Sequence, residues 1–336
     1  MQKRILVIDF LRGMSILGVV FYHLISLYMT SLPGVIRYAA NAGSSGVLIF
    51  FFCSGFSLHL SNHKKHLSYI SFLLKKVRKI YLPYIFIVLV TACIPFIQIE
   101  GSRVMAILSH IFQFRIFNLQ YFEAFGGHWW YLGTLFQFYI IFYVLERILD
   151  RISEKNFVII CSLLSVIYVI ILAFFNLQDN NIFTRLFPKY LLEFSVGMAG
   201  AELCLKGKLE EIRVSPKVLV AIALGGIALL GLSSRNSMGR LLNDIPGFVG
   251  FLCLFIWIYL LKIKWIDRIV FWISNISFEW YLIHMLIFTI IFHFISGTIL
   301  LDIMGGIIAI ILSIAIAYVY HYFLKNISGK GYNNKL

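Results

Sequence analysis

Apolar residues run along this chain in long blocks separated by short polar stretches. Ten blocks of about 17 to 25 residues can be drawn, at 5–28, 44–60, 80–99, 129–149, 157–175, 186–204, 217–233, 246–262, 269–295 and 304–324. In α-helical form, at about 1.5 Å per residue, a block of that length crosses the roughly 30 Å hydrocarbon core of a bilayer. The pattern predicts an all-α, polytopic integral membrane protein with about ten transmembrane helices. The short stretch 103–117 is expected as a helix on the outer surface. A single membrane domain over 1–336 is expected, with no soluble domain appended. No internal repeat stands out, which weighs against a transporter built from inverted halves.

Composition points the same way. Of 336 residues 60% are hydrophobic and 13% charged, with a mean hydropathy of +0.89, whereas soluble domains carry about 25% charged residues. A net charge of +14 raises nucleic acid as a partner, but Lys and Arg cluster between the apolar blocks, so the charge reads as topology and no nucleic-acid partner is expected. With the amino terminus inside, the cytoplasmic segments hold 21 of the 29 Lys and Arg residues, the outer loops hold seven, and Arg12 lies in the first block. Positive residues accumulate on the cytoplasmic side, so both termini are expected in the cytoplasm and the number of crossings is expected to be even. The five cysteines, Cys53, Cys93, Cys161, Cys204 and Cys253, are scattered through apolar runs without a CxxC pair. Neither a disulfide framework nor a metal site is indicated. Lys3 and Arg4 give the first block the look of a signal peptide, but the charges inside it and the lack of a small-residue cleavage site predict that it stays.

Those charges are Asp9 and Arg12, with His23 further along. A charge near the middle of a membrane helix costs about 2.5 to 3.5 kcal/mol on insertion scales, so such residues face a protein interior or a wet cavity and mark function. At 100° per residue Arg12 and His23 lie about 20° from eclipsed and roughly 16 Å apart along the axis, with Asp9 one turn before Arg12. One helix face therefore carries a cation near one membrane surface and a titratable base deeper in. The structural alternative is that Asp9 and Arg12 neutralise each other while His23 hydrogen-bonds a neighbouring helix.

Four further stretches carry candidate chemistry. After the second block come Lys75, Lys76, Arg78 and Lys79. Lys75 with Arg78, or Lys76 with Lys79, lie one turn apart and suit the phosphates of a cytoplasmic cofactor, although lipid attraction and topology explain the same residues. His128, Trp129 and Trp130 sit at the edge of the fourth block, either as a sugar-stacking surface or as belt anchors. Glu193, in the sixth block, is an intramembrane carboxylate and a candidate partner for Arg12. In the ninth block Ser274, Ser277, Tyr281 and His284 recur at helical spacing as a polar stripe, with Glu279 and Trp280 pointing elsewhere.

Taken in order, IDFLRGMSILGVVFYH, GVLIFFFCSGF, KKVRKIYLPY, GHWWYLGTLFQFY, YLLEFSVGMAGA and ISFEWYLIH resemble the landmarks of the acyltransferase-3 family of membrane O-acyltransferases. The resemblance covers nearly the whole chain. It implies ten core helices in a bacterial cytoplasmic membrane, and acyl-coenzyme A, usually acetyl-CoA, as the cytoplasmic donor substrate. It implies a hydroxyl of a cell-envelope polysaccharide or lipid-linked glycan as acceptor, no permanently bound cofactor, and an essential pair in Arg12 and His23. Two positions depart from the family pattern: Leu48 and Leu135 stand where many members have an acid. The family's paired arginines before the third helix are replaced by the lysine-rich set at 75–79. Members with a fused extracytoplasmic esterase-like domain hand the acyl group on; this chain is expected to complete the transfer itself or with a separate partner.

The resulting expectation assigns His23, Arg12 and Asp9 to catalysis and Lys75, Lys76, Arg78 and Lys79 to the donor. His128, Trp129, Trp130, Glu193, Ser277, Tyr281 and His284 are assigned to the acceptor. His23 would act as general base, for which an unperturbed imidazole pKa of about 6.5 is suited, or as an acyl carrier. A glycan-lipid flippase or transporter, or a glycan polymerase, is the rival reading, and neither needs coenzyme A.

Overall fold

The structure is a computed structural model that describes residues 5–211 and 214–327. The terminal residues, on which the expected cytoplasmic location of both ends rests, lie outside the described residues. Among the described residues every regular element is helical. In chain order the α-helices are α1 (Leu6–His23), α2 (Gly34–Ala40), α3 (Gly46–Lys64), α4 (Tyr69–Lys76), α5 (Leu82–Ala92), α6 (Arg103–Ile111), α7 (Leu119–Phe122) and α8 (Trp130–Leu149). They continue with α9 (Glu154–Phe174), α10 (Leu191–Leu205), α11 (Pro216–Ser233), α12 (Ser237–Leu242), α13 (Asp244–Leu260), α14 (Lys264–Asn275), α15 (Ser277–Phe294) and α16 (Ile299–Ile327).

Local chemistry starts and stops these helices where the chain needs it. Ser68, Ser102, Ser153 and Ser215 each accept a hydrogen bond from a backbone N–H in the first turn of the helix that follows, which satisfies one of the donors a helix start leaves open. The third apolar block, expected over 80–99, is displaced. The helix begins earlier, at α4, passes through a π-helical turn at Val77–Tyr81 and ends at Ala92. Pro95 disfavours helix at the residue before it. The guanidinium of Arg103 then donates to the carbonyls of Ala92 at 2.7 Å, Ile94 at 3.1 Å and Ile97 at 2.5 Å, closing the open end of α5.

The ninth block, expected as one span over 269–295, is two helices. Ile276 leaves helical geometry at φ −107°, ψ 8°, between α14 and α15. Before it, α14 is two-sided: Val270, Ile273 and Ser274 are buried, while Trp265, Ile269 and Trp272, one or two turns apart, are exposed. The spanning segment therefore starts at Ser277. Among the described residues seven helices are long and apolar enough to cross a membrane, and Asp244–Leu260 is a shorter apolar helix.

The chain forms two compact units, and the boundary falls inside α3 between Cys53 and Ser54. Of the described residues, the first unit comprises 5–53, 214–235 and 243–327. In it α1 lies antiparallel to the start of α3, with Gly18 against Gly43 and Ser15 against Gly46. Along α14, α1 comes so close that a Cβ on Gly13 would sit 2.4 Å from the Val270 carbonyl oxygen, so that position accepts no side chain without a shift. α15 and α16 run antiparallel: Trp280 Nε1 donates to Ser313 Oγ at 2.9 Å, and His321 Nδ1 donates to Glu279 Oε1 at 3.1 Å. Asp302 Oδ2, buried at the start of α16, accepts from the Ser31 backbone N–H at 2.8 Å.

Of the described residues, the second unit comprises 54–211 and 236–242. Here the end of α3 runs parallel to α10, with Gly55 so near the Phe194 carbonyl that a Cβ would lie 2.1 Å from its oxygen. Phe138 of α8 stacks on Phe194 at 4.1 Å between ring centroids. The stretch 103–117, expected at the outer surface, is partly internal. Arg115 is fully buried and donates to the carbonyls of Phe122, at 2.9 Å, and Trp129, so it ties the following loop together.

Candidate functional site

In the first unit α1 is an unbroken helix up to His23, so the shared face and the roughly 16 Å rise between Arg12 and His23 are kept. Asp9 and Arg12 pair one turn apart, Oδ1 to Nη1 at 3.5 Å, with both side chains largely enclosed. Asp9 is thus a partner of Arg12 from the same helix. Immediately after His23 the backbone changes to a π-helical turn, Leu24–Tyr28, a feature found frequently at functional sites.

His23 meets a residue 261 positions away. Its Nδ1 lies 2.9 Å from Nε2 of His284 on α15, and the ring centroids are 5.1 Å apart. His284 has no exposed surface, and its Nδ1 is 3.0 Å from the Trp280 carbonyl oxygen one turn earlier. Tyr281 is buried with its ring 6.1 Å from that of His284, and the ring of Tyr22 is 4.7 Å from His23. A second tie follows further along: Tyr28 donates to Thr289 Oγ1 at 2.7 Å, and Thr289 donates to the Met285 carbonyl at 2.9 Å. The polar stripe predicted from the ninth block is thus divided. Tyr281 and His284 gather with His23, whereas Ser277 donates to the Ser274 carbonyl at 2.9 Å across the helix break. Glu279 and Trp280 point to α16, as their spacing predicts.

The second unit holds the other candidates. Of the basic set, Lys75 and Arg78 are exposed, while Lys76 is buried. The Lys76 ammonium lies 5.3 Å from the centroids of both Phe72 and Tyr139. Lys75 and Arg78 thus face outward, Lys79 is half-buried, and Lys76 packs in the interior. His128 and Trp129 are buried, and Trp129 donates from Nε1 to the Phe125 carbonyl at 3.0 Å. An open stacking face at Trp129 is ruled out by that burial. Trp130 stacks on Tyr190 at 5.4 Å, with the Arg185 guanidinium 4.2 Å from its ring centroid. Glu193 is buried in the first turn of α10.

One cluster escaped the sequence reading. His59, near the end of α3, places Nδ1 2.5 Å from Glu146 Oε1 and Nε2 2.9 Å from Glu202 Oε2. Asn62 donates to the other Glu146 oxygen at 2.9 Å, and Lys206 bridges Glu202 at 3.0 Å and Glu154 at 2.7 Å. The available signal was two carboxylates at the ends of apolar blocks. Their convergence on one imidazole is a tertiary fact.

Two residue sets thus stand out: an imidazole pair, His23 of which lies on the helix that carries an ion-paired arginine about three turns earlier, and an outward-facing basic pair ahead of α5. Among the described residues no group of three or more His, Cys, Asp or Glu side chains is arranged to hold a metal ion. Compared with known proteins, residues 5–322 match the family model described as the acyltransferase domain of acyltransferase-3. No curated protein and no solved structure matches.

Proposed function

Because this chain belongs to the acyltransferase-3 family, we propose that it moves an acetyl group from cytoplasmic acetyl-coenzyme A to a hydroxyl of a cell-envelope polysaccharide or lipid-linked glycan. The observation that carries the reading is His23: a buried imidazole at the end of the helix that also holds Arg12, with Nδ1 engaged by a second imidazole. In the reaction His23 Nε2 takes the proton of the acceptor hydroxyl, and the alkoxide oxygen attacks the thioester carbonyl. The carbon–sulfur bond breaks, and the proton returns to the coenzyme A thiolate. Arg12, held by Asp9, orients the donor or stabilises the negative charge that develops on the thioester oxygen. The outward pair Lys75 and Arg78 serves the donor's phosphates. The setting proposed is a bacterial cytoplasmic membrane crossed ten times, with both ends in the cytoplasm.

The test uses isolated membranes given radiolabelled acetyl-coenzyme A and surface glycan. Wild type is expected to label the glycan, and His23→Ala to lose at least about 100-fold, at the low end of general-base contributions, while inserting normally. Wild-type membranes that flip or polymerise the glycan with no need for acetyl-coenzyme A would overturn the reading, as would a His23→Ala protein of near-normal activity.

A further inference from the structure

The two imidazoles and one carbonyl form a chain in which only one arrangement of protons is consistent. A carbonyl oxygen accepts and never donates, so the 3.0 Å contact to Trp280 requires a proton on His284 Nδ1. His284 has no exposed surface, and a doubly protonated ring there would place a bare charge in the interior, so Nε2 of His284 carries a lone pair. That lone pair lies 2.9 Å from His23 Nδ1, which must then hold the proton. Neutral imidazole has one N–H, so the lone pair of His23 is confined to Nε2. The geometry points to His284 as a positioning residue: through Trp280 it fixes His23 in the tautomer whose Nε2 can accept a proton. This deepens the acyl-transfer reading and rests on it for the identity of the base. It also replaces the expectation that His284 contacts the acceptor, because both of its ring nitrogens are used within the protein.

The packing around the pair supports fixed orientation. Tyr28, Thr289 and the Met285 carbonyl form a second polar tie between the same two segments, five residues beyond His23 and His284 in each. The ring of Phe288 lies edge-on to His284 at 5.6 Å, which limits ring rotation.

Two readouts test the assignment on the full chain in bilayers. The first is the nitrogen resonances of ¹⁵N-histidine-labelled protein, with His23 assigned by comparison with His23→Ala. Wild type should show His23 protonated at Nδ1 and bare at Nε2, and His284→Phe should shift it toward the opposite tautomer. The second is kinetics. His284→Phe should lower kcat by about 100-fold or more, the scale seen when a catalytic histidine loses its orienting partner, with the acetyl-coenzyme A KM changed by less than about twofold. His284→Gln presents an amide oxygen near the position of Nε2 and should recover about tenfold relative to His284→Phe, a rescue that a purely space-filling role does not give. A wild-type His23 protonated at Nε2, or an equal loss in His284→Phe and His284→Gln with an unchanged tautomer, overturns the assignment. The expected tautomers together with a fully active His23→Ala would support the imidazole pair and overturn the acyl-transfer reading instead.

Discussion

At the scale of single residues, two partnered polar groups each predict what their loss does. Arg12 pairs with Asp9 through one nitrogen–oxygen contact at 3.5 Å. A lysine could keep that ion pair but not the planar fork of donors, so Arg12→Lys should insert normally yet lose about tenfold or more in kcat/KM. Near-normal activity in the acetylation assay would reduce Arg12 to the counter-ion of Asp9. His110 makes a separate prediction in pH. Its Nε2 donates to the Ala124 carbonyl at 2.9 Å, and its Nδ1 accepts from the Tyr84 hydroxyl at 2.6 Å. Burial, and next the Arg115 charge, hold its pKa well below 6.5. The unfolded chain therefore takes up a proton that the folded one refuses. This contribution to stability is intact above about pH 6.5 and is lost as the pH falls below it, by up to about 1.4 kcal/mol per pH unit. Thermal unfolding in detergent at pH 7.5 and 5.5 should show a smaller acid-induced drop for His110→Gln than for wild type; equal drops would mean that His110 does not sense this range.

At the scale of elements, the apolar blocks were legible because burial in lipid demands them, and most of the helices fall on them within a few residues. The breaks were not legible. Neither Gly nor Pro marks the junction at Ile276; it follows from the way α14 packs, with Val270 held against Gly13. The continuity of α4 through a π-helical turn into α5 was hidden by the four charges between residues 75 and 79, which interrupt the apolar pattern ahead of the third block. Lys75 and Arg78 face outward, whereas the Lys76 ammonium lies 5.3 Å from the ring centroids of both Phe72 and Tyr139. Replacing Lys75 and Arg78 together by glutamine should raise the KM for acetyl-coenzyme A about fivefold or more, increasingly with salt, because exposed charge interactions are screened. Lys76→Gln should instead lower thermal stability, by about 1 to 2 kcal/mol for a desolvated cation between two rings, with the donor KM little changed. The reverse pattern would assign the phosphates to Lys76. The candidate site was legible in the same partial way. Asp9, Arg12 and His23 announce themselves as polar residues in an apolar run, and His284 is visible as part of a stripe. The His23 to His284 contact and the clamp on His59 depend on segments that meet only in the folded chain.

At the scale of the whole molecule, helix directions bear on how many times the chain crosses the membrane. α1 and α15 run parallel, since His23 meets His284 and Tyr28 meets Thr289, as a first and a ninth crossing must. α1 is antiparallel to the start of α3, α11 to α13, and α15 to α16, the last through Trp280 with Ser313 and Gly305 near Ile295. In the second unit the end of α3 runs parallel to α10, with Gly55 at Phe194 and His59 at Glu202. The same segment runs parallel to α8, with Ser54 at Tyr131 and Asn62 at Glu146. α9 is antiparallel to α10, with Ser165 at Lys189 and Glu154 across from the Lys206 that follows α10. Within each unit taken by itself, these directions are the ones that alternation over ten crossings would require. Among the described residues seven helices meet the length and hydropathy of a span by themselves. The remaining crossings would be α4 with α5, α10 with the 3-10 turn before it, and α13, and alternation holds only if all three cross. The measurement is accessibility in intact cells of single cysteines placed in a chain whose five native cysteines have been replaced. Positions 102, 180, 236 and 297, which follow the third, fifth, seventh and ninth crossings, should react with a membrane-impermeant thiol reagent. Positions 66, 153 and 262, which follow the second, fourth and eighth, should react only after the membrane is opened. If 66, 102 and 180 are all protected while 153 reacts, the α4 and α5 segment does not cross and the count falls to an odd number. The two ends would then lie on opposite sides, and the placement of Lys75 and Arg78 on the donor side would have to be argued again from the first crossing onward.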